Sequence, residues 1–329
     1  TQNPTVGISI GAVELTDGLP SAVVTFRFSE SPVDFAEGDI SVEHGAIVEG
    51  SLVQVDATTW TAVFAAEDGF AGQGSVSVDA AKFTDASGND NVASALATVT
   101  IDTVNPAVEI EVATPDLKAG GSSLVTITFS QAVTGLSVGD FDVAHGALSN
   151  LSTEDGVVWT ATLTPTADIT DTSNVITLAA GTVETVAGNT NVLATLSNNY
   201  AIDSQKPTVA ISFAESSLSD AGTTSVVTFS FSEAVGDLEF GDITVSHGHI
   251  VAESLVQVDA TTWTATFTAD DGFAGQGSVS VDAARFTDLA GNDNLASTAA
   301  TVTIDTQNPT VGISIGAVEL TDGLPSAVV

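Results

Sequence analysis

Three observations predict an all-β chain of tandem β-sandwiches. A linker returns at even spacing: Thr100-Ile101-Asp102-Thr103-Val104-Asn105-Pro106, then Ala201-Ile202-Asp203-Ser204-Gln205-Lys206-Pro207, then Thr303-Ile304-Asp305-Thr306-Gln307-Asn308-Pro309. Within each period, apolar residues alternate over short segments broken by Gly, Asn and Asp, and no helical periodicity of useful length appears. The period, about 100 residues, suits one immunoglobulin-like Greek-key sandwich. The linkers then read as joints between sandwiches arranged end to end. In each, the Asp ends a last strand and the Pro stiffens the start of the next domain.

The expected domains are 1–103, 104–204 (divergent) and 205–306, with 307–329 the truncated start of a fourth. In the first repeat the pattern predicts seven strands, A to G, over 6–10, 22–28, 40–43, 51–55, 59–64, 75–79 and 96–101. Val24, Phe26 and Phe28 share one face of strand B. Trp60, Ala62 and Phe64 share one face of strand E, and Trp159 and Trp263 stand at the equivalent places. These tryptophans are expected in the core.

The first and third repeats are the closer pair. The third keeps Ala269-Asp270-Asp271-Gly272-Phe273-Ala274-Gly275, matching Ala66-Glu67-Asp68-Gly69-Phe70-Ala71-Gly72; the second has Pro165-Thr166-Ala167-Asp168-Ile169-Thr170-Asp171 instead. Residues 306–329 repeat residues 1–24 letter for letter. That identity suggests a larger repeating unit of three domains. It also raises head-to-tail strand exchange, in which 306–329 of one molecule supplies strands A and B to another. The chain starts inside a repeat and is expected to be a segment of a longer protein.

Composition narrows the function. At 43% hydrophobic residues each repeat can bury a core, despite 42 acidic residues against five basic ones and a net charge of −37. Such a balance excludes nucleic acid, disfavours direct membrane contact and favours cations. Cysteine is absent. His44, His145 and His247 fall in equivalent His-Gly pairs with no nucleophile or base partner in view, and no G-x-S-x-G, H-E-x-x-H or phosphate loop appears. No enzyme activity is expected.

One resemblance covers all three repeats and the terminal stub. It is carried by Val24-Thr25-Phe26-Arg27-Phe28-Ser29-Glu30, Gly38-Asp39-Ile40, His44-Gly45, Trp60-Thr61-Ala62 and Phe83-Thr84-Asp85-Ala86-Ser87-Gly88-Asn89, and again by Val227-Thr228-Phe229-Ser230-Phe231-Ser232-Glu233 and Phe286-Thr287-Asp288-Leu289-Ala290-Gly291-Asn292. The chain resembles the tandem bacterial Ig-like extender domains of large RTX and biofilm-type adhesins. The second repeat departs from the pattern: Gln131 replaces the Glu, and Val183-Glu184-Thr185-Val186-Ala187-Gly188-Asn189 replaces the Thr-Asp loop. The resemblance implies an extracellular, cell-surface rod, stiffened by Ca2+ at joints between neighbouring repeats, that projects a distal ligand-binding domain. The alternatives are a carbohydrate- or protein-binding adhesion module, or an S-layer or halophilic wall protein.

Sandwich topology places the acidic loops. The A–B, C–D and E–F loops share a pole with the end of strand G, while the F–G loop lies at the other pole. The first joint is expected to gather Asp102, Asn105, Asp17, Glu67 and Asp68, facing Asn189 and Glu184. The second gathers Asp203, Asp116, Asp168 and Asp171, facing Asp288 and Asn292. The third gathers Asp305, Asn308, Asp220, Asp270 and Asp271. Asp85 and Asn89 stand in the first repeat's F–G turn and are further candidate ligands. Clustered Asp with Gly and Asn, without Cys or paired His, fits Ca2+ rather than Zn2+.

Overall fold

The computed structural model describes residues 2–236 and 238–316, and all its sheets are built from short strands. The described residues fall into two compact units. Unit 1 is Thr1–Leu117, Gly121–Thr166 and Asp171–Ile202; unit 2 is Lys118–Gly120, Ala167–Thr170 and Asp203–Val329. The 317–329 part of the expected fourth repeat, and with it the strand exchange through 306–329, lies outside the described residues.

In unit 1 the first repeat has nine strands: β1 (Val6–Ile10), β2 (Glu14–Thr16), β3 (Ser21–Phe28), β4 (Ile40–Glu43), β5 (Gly45–Ile47), β6 (Val53–Gln54), β7 (Thr59–Ala66), β8 (Ala71–Val78) and β9 (Ala97–Asp102). They make two sheets, β1-β3-β7-β5 with β6 on β7, and β2-β9-β8-β4. The alternation of β3 is the reason it is a strand. Ala22, Val24, Phe26 and Phe28 turn inward between half-exposed or exposed neighbours, and Phe26 and Phe64 are fully buried. Burying one such side chain contributes about 2–3 kcal/mol. Trp60 packs against this core, edge-on to Phe35, and Trp263 packs against the equivalent core of unit 2.

The predicted strands 6–10 and 40–43 have the observed bounds. The segment 51–55 shrinks to two strand residues, and β2 and β5 were not foreseen. Both are three residues long, too short for periodicity to show. β2 matters for the joint. It runs parallel to β9, with Thr16 opposite Asp102, so the turn starting at Asp17 stands beside the strand's end.

The His-Gly pairs are backbone devices. His44, His145 and His247 have φ of 54°, 50° and 55°. A Cβ on Gly45 would lie 2.3 Å from the Phe64 ring, so the neighbour must be glycine. His44 stacks on Phe70 at 3.8 Å, and His247 on Phe273 at 4.0 Å.

The second repeat's Val108–Val112, Ser123–Phe129, Val158–Pro165 and Gly146–Thr153 form a four-stranded sheet. Its Tyr200 is buried and donates its hydroxyl to the Ala144 carbonyl; burial, then Asp142, pushes that phenol up to about 12. In unit 2, Val209–Phe213, Thr224–Phe231, Thr262–Ala269 and Gly248–Ile250 form one sheet of the third repeat. Ser217–Ser219, Ala300–Asp305, Ala274–Val281 and Ile243–Ser246 form the other.

Candidate functional site

The F–G loop of each repeat is built around two asparagines. The second of them is internal. Asn91 accepts the Lys82 and Phe83 N–H groups and donates to the Asp79 and Val92 carbonyls; Asn294 makes the same set of bonds, and Asn191 differs only in donating to the carbonyl two residues on, that of Leu193. This fixes the loop and aims the first asparagine of the pair outward.

In the second repeat that residue is Asn189, with 0% exposure. Its Oδ1 accepts the Asp17 N–H at 3.0 Å, and its Nδ2 donates to the Asp102 carbonyl at 2.8 Å and the Asp102 Oδ1 at 3.2 Å. Asn105 donates to the Asp17 Oδ2 at 2.5 Å and to the Thr190 carbonyl at 2.9 Å. Thus Asp17, Asp102, Asn105 and Asn189 do meet at the first joint, held by amide hydrogen bonds. Two further groups are neutral. Gln131 donates to the Val104 carbonyl at 2.7 Å, and the Thr185 Oγ1 accepts the Asn189 N–H at 3.1 Å.

In unit 2 the first asparagine is Asn292, 2% exposed. Its Oδ1 accepts the Ala119 N–H at 2.7 Å and its Nδ2 donates to the Asp203 carbonyl at 2.8 Å, while Lys118 Nζ donates to the Gly291 carbonyl at 2.9 Å. Here the neutral groups are replaced by acids. Glu233 stands where Gln131 stood, and Asp288 where Thr185 stood. Asp203, Glu233 and Asp288 bring carboxylate oxygens within 4.8 Å of one another, the one such acidic group of three or more among the described residues. Asp288 is 4% exposed and accepts the Asn292 N–H and Nδ2 at 2.8 Å each. The Asp203 Oδ1 accepts the Thr170 hydroxyl at 3.1 Å. The Glu233 Oε1 is buried without a hydrogen-bond partner. Burial, then Asp288 and Asp203, pushes the Glu233 carboxyl up from its ordinary value.

The structure therefore assembles two of the expected acidic ligands of the second joint, Asp203 and Asp288, beside the expected Asn292, and adds Glu233, which the sequence reading left out. The signal was present: Gln131 and Thr185 depart from the pattern together, in the same repeat.

The other expected acids do not join a three-carboxylate group among the described residues. Glu67 turns to His44, 3.1 Å away, and Asp171 to His145 at 3.4 Å. Asp168 is an exposed turn residue with φ 58°, and Glu184 pairs its backbone with Thr134. Asp68, Asp116, Asp220, Asp270, Asp271, Asp305 and Asn308 are exposed. In the first repeat Asp85 accepts the Ser87 and Asn89 N–H groups and the Asn89 Nδ2, and these bonds, the side-chain one first, hold its carboxyl below the usual range.

Two tandem sandwiches joined through loop asparagines in unit 1, and a third built the same way in unit 2, define an immunoglobulin-like repeat protein. The bacterial Ig-like domain family matches residues 1–101, 102–202 and 203–304, and the chain belongs to that family. A comparison with curated protein sequences gave no match. Among solved structures, the chain is similar to the Escherichia coli adhesin FdeC (15% identity, 91% of this chain and 96% of that one, TM-score 0.35). It is also similar to titin domains I67–I69 (10%, 92% and 98%, 0.38) and to the Yersinia pseudotuberculosis adhesin InvE (15%, 79% and 74%, 0.27). Among the described residues no helix is long and apolar enough to cross a membrane.

Proposed function

We propose that this chain is a spacer segment of a bacterial surface adhesin, in which Ca2+ sets the joint leading into the third repeat. The observation that carries the calcium reading is the Glu233 Oε1, a buried carboxylate oxygen with no partner, grouped with Asp203 and Asp288. Three carboxylates sharing one site repel unless a proton or a cation lies between them.

The donor set fits calcium. Oxygens bound to Ca2+ at about 2.3–2.6 Å stand no more than about 5 Å apart, which is the span of this group. All three donors are hard oxygens, and the group contains no histidine or cysteine, which argues against zinc. Asp203, Glu233 and Asp288 would hold the ion, which would supply positive charge to neutralise them. Asp203 ends the strand Tyr200–Asp203, so such binding ties that end to the loops of the third repeat. Near-equal repeats without an elaborated loop favour spacing over recognition.

The test is thermal melting of the full chain under calcium titration, beside Glu233→Gln. Extracellular calcium modules bind at about 10⁻⁴–10⁻³ M. At ten times Kd a site adds about 1.4 kcal/mol, or roughly 5–10 °C for a domain of this size. Wild type should show that rise and Glu233→Gln should lose most of it. Equal responses in the two proteins would remove Glu233 and its neighbours as the site.

A further inference from the structure

The two occupied asparagine clasps have a third counterpart. Asn189 and Asn292 each accept one N–H and each donate to one equivalent carbonyl, Asn189 reaching the Val104 carbonyl as well. The N–H belongs to the residue just after a three-residue strand, Asp17 or Ala119. The carbonyl belongs to the aspartate that ends a last strand, Asp102 or Asp203. Asn89 sits in the same turn of the first repeat. Its backbone N–H and Nδ2 go to the Asp85 carboxylate, as those of Asn292 go to Asp288. Yet Asn89 is only half-buried, where its counterparts are 0% and 2% exposed. The buried state of the clasp is the state with a neighbour in place.

The third repeat carries the matching receiver. Ser217–Ser219 runs parallel to Ala300–Asp305 with Ser219 opposite Asp305, repeating the register of Thr16 and Asp102. The residue just after this short strand is Asp220, whose N–H has no acceptor among the described residues. The linker that leaves this pole, residues 306–316, has the sequence of residues 1–11 that leads into the first repeat.

We infer that, where two copies of this chain follow one another, the Asn89 face of the second copy's first repeat docks on the Asp305 pole of the first copy's third repeat. Asn89 Oδ1 accepts the Asp220 N–H, and Asn89 Nδ2 donates to the Asp305 carbonyl. This goes beyond the calcium reading, which concerns Asp203, Glu233 and Asp288; the clasp bonds themselves are made by an asparagine amide, although the Asn89 face carries the acids Glu30 and Asp85 where the Asn292 face has Glu233 and Asp288.

The experiment uses two proteins: the full chain, and a doubled chain in which a complete second copy follows Asp305 of the first. Backbone amide exchange is read by NMR in saturating calcium and again in chelator, so that repulsion among Glu30, Asp85 and Asp305 is not mistaken for the absence of a clasp. The Asp220 amide of the first copy should exchange roughly tenfold more slowly in the doubled chain than in the single one, since a hydrogen-bonded amide must open before it exchanges. Asn89→Ala in the second copy should return it to the single-chain rate. The Asp17 amide, already held by Asn189, should stay slow in both proteins. Equal Asp220 rates in the single and doubled chains both with calcium and with chelator would overturn the inference, and that comparison needs no substitution to fold. So would a slow rate that survives Asn89→Ala.

Discussion

The loops around Asn189 and Asn292 do the same mechanical task with opposite electrostatics. Both asparagines reach the carbonyl of a strand-ending aspartate at 2.8 Å. Around Asn189 the flanking groups are Gln131 and Thr185, one donating to Val104 and the other accepting from Asn189 itself. Around Asn292 they are Glu233 and Asp288, which with Asp203 crowd three acids into one place. The clasp is therefore independent of the charge. A repeat can keep its hydrogen bonds while replacing a cation-seeking site by neutral amide and hydroxyl groups. In a chain of net charge −37, that removes two negative charges where they would be hardest to hold apart.

The largest effect tests the shared half of this comparison. Asn189→Ala leaves the Asp17 N–H and the Asp102 carbonyl without their partner. A buried polar group left unpaired costs about 1–3 kcal/mol, so the substitution should cost about 3 kcal/mol, read from the denaturant midpoint of the full chain. Asn292→Ala should cost a similar amount. A near-neutral Asn292→Ala beside a costly Asn189→Ala would show that the two clasps differ in kind.

The next effect tests the half that differs. Gln131→Glu with Thr185→Asp would place two more acids beside Asp102 in the second repeat. In chelator the pair should destabilise the chain by about 1–3 kcal/mol, through the lost Gln131 hydrogen bond and like-charge repulsion. Calcium should restore part of that loss, and wild-type unit 1 should show no matching response. If calcium gives back nothing, the two substituted positions do not by themselves define the site.

How much of this was legible before the structure divides along physical lines. The sandwich follows from alternation in segments such as Ser21–Phe28, where half the side chains must be inside. The pole assignments held where the structure tests them: Glu67 does meet His44 across the C–D and E–F loops. Glu14–Thr16 and Gly45–Ile47 were missed because three residues carry no period, and their pairing is set by neighbours distant in sequence.

Context also decides the strand itself. Val6-Gly7-Ile8-Ser9-Ile10 is β1 because it pairs with Ser21–Phe28. The same five letters at 311–315 form no strand and leave Val311, Ile313 and Ile315 exposed. Burial against a partner, more than propensity, makes the strand. At the site, Asn189 and Asn292 were singled out as metal ligands, but the structure gives their side-chain oxygens to backbone N–H groups. That distinction depends on which atoms lie within 3 Å, and no spacing rule encodes it.

The smallest effect separates proton from cation at the acidic joint. Glu233 is pushed above its ordinary value, near 4.5, so the folded chain holds that proton more tightly than the unfolded chain. Its contribution to stability is then fully present below 4.5 and is lost as pH rises through the folded value. Asp85, held low by its hydrogen bonds, works in the other direction, with stability lost as pH falls. A raw pH profile would mix the two, so the reading is the difference between wild type and Glu233→Gln, melted in chelator. Wild type should lose melting temperature relative to the variant as pH rises from about 4.5 toward neutrality, and saturating calcium should close the gap. A constant difference across that range would mean that Glu233 titrates alike in the folded and unfolded chains, and the joint would then have no charge conflict for a cation to relieve.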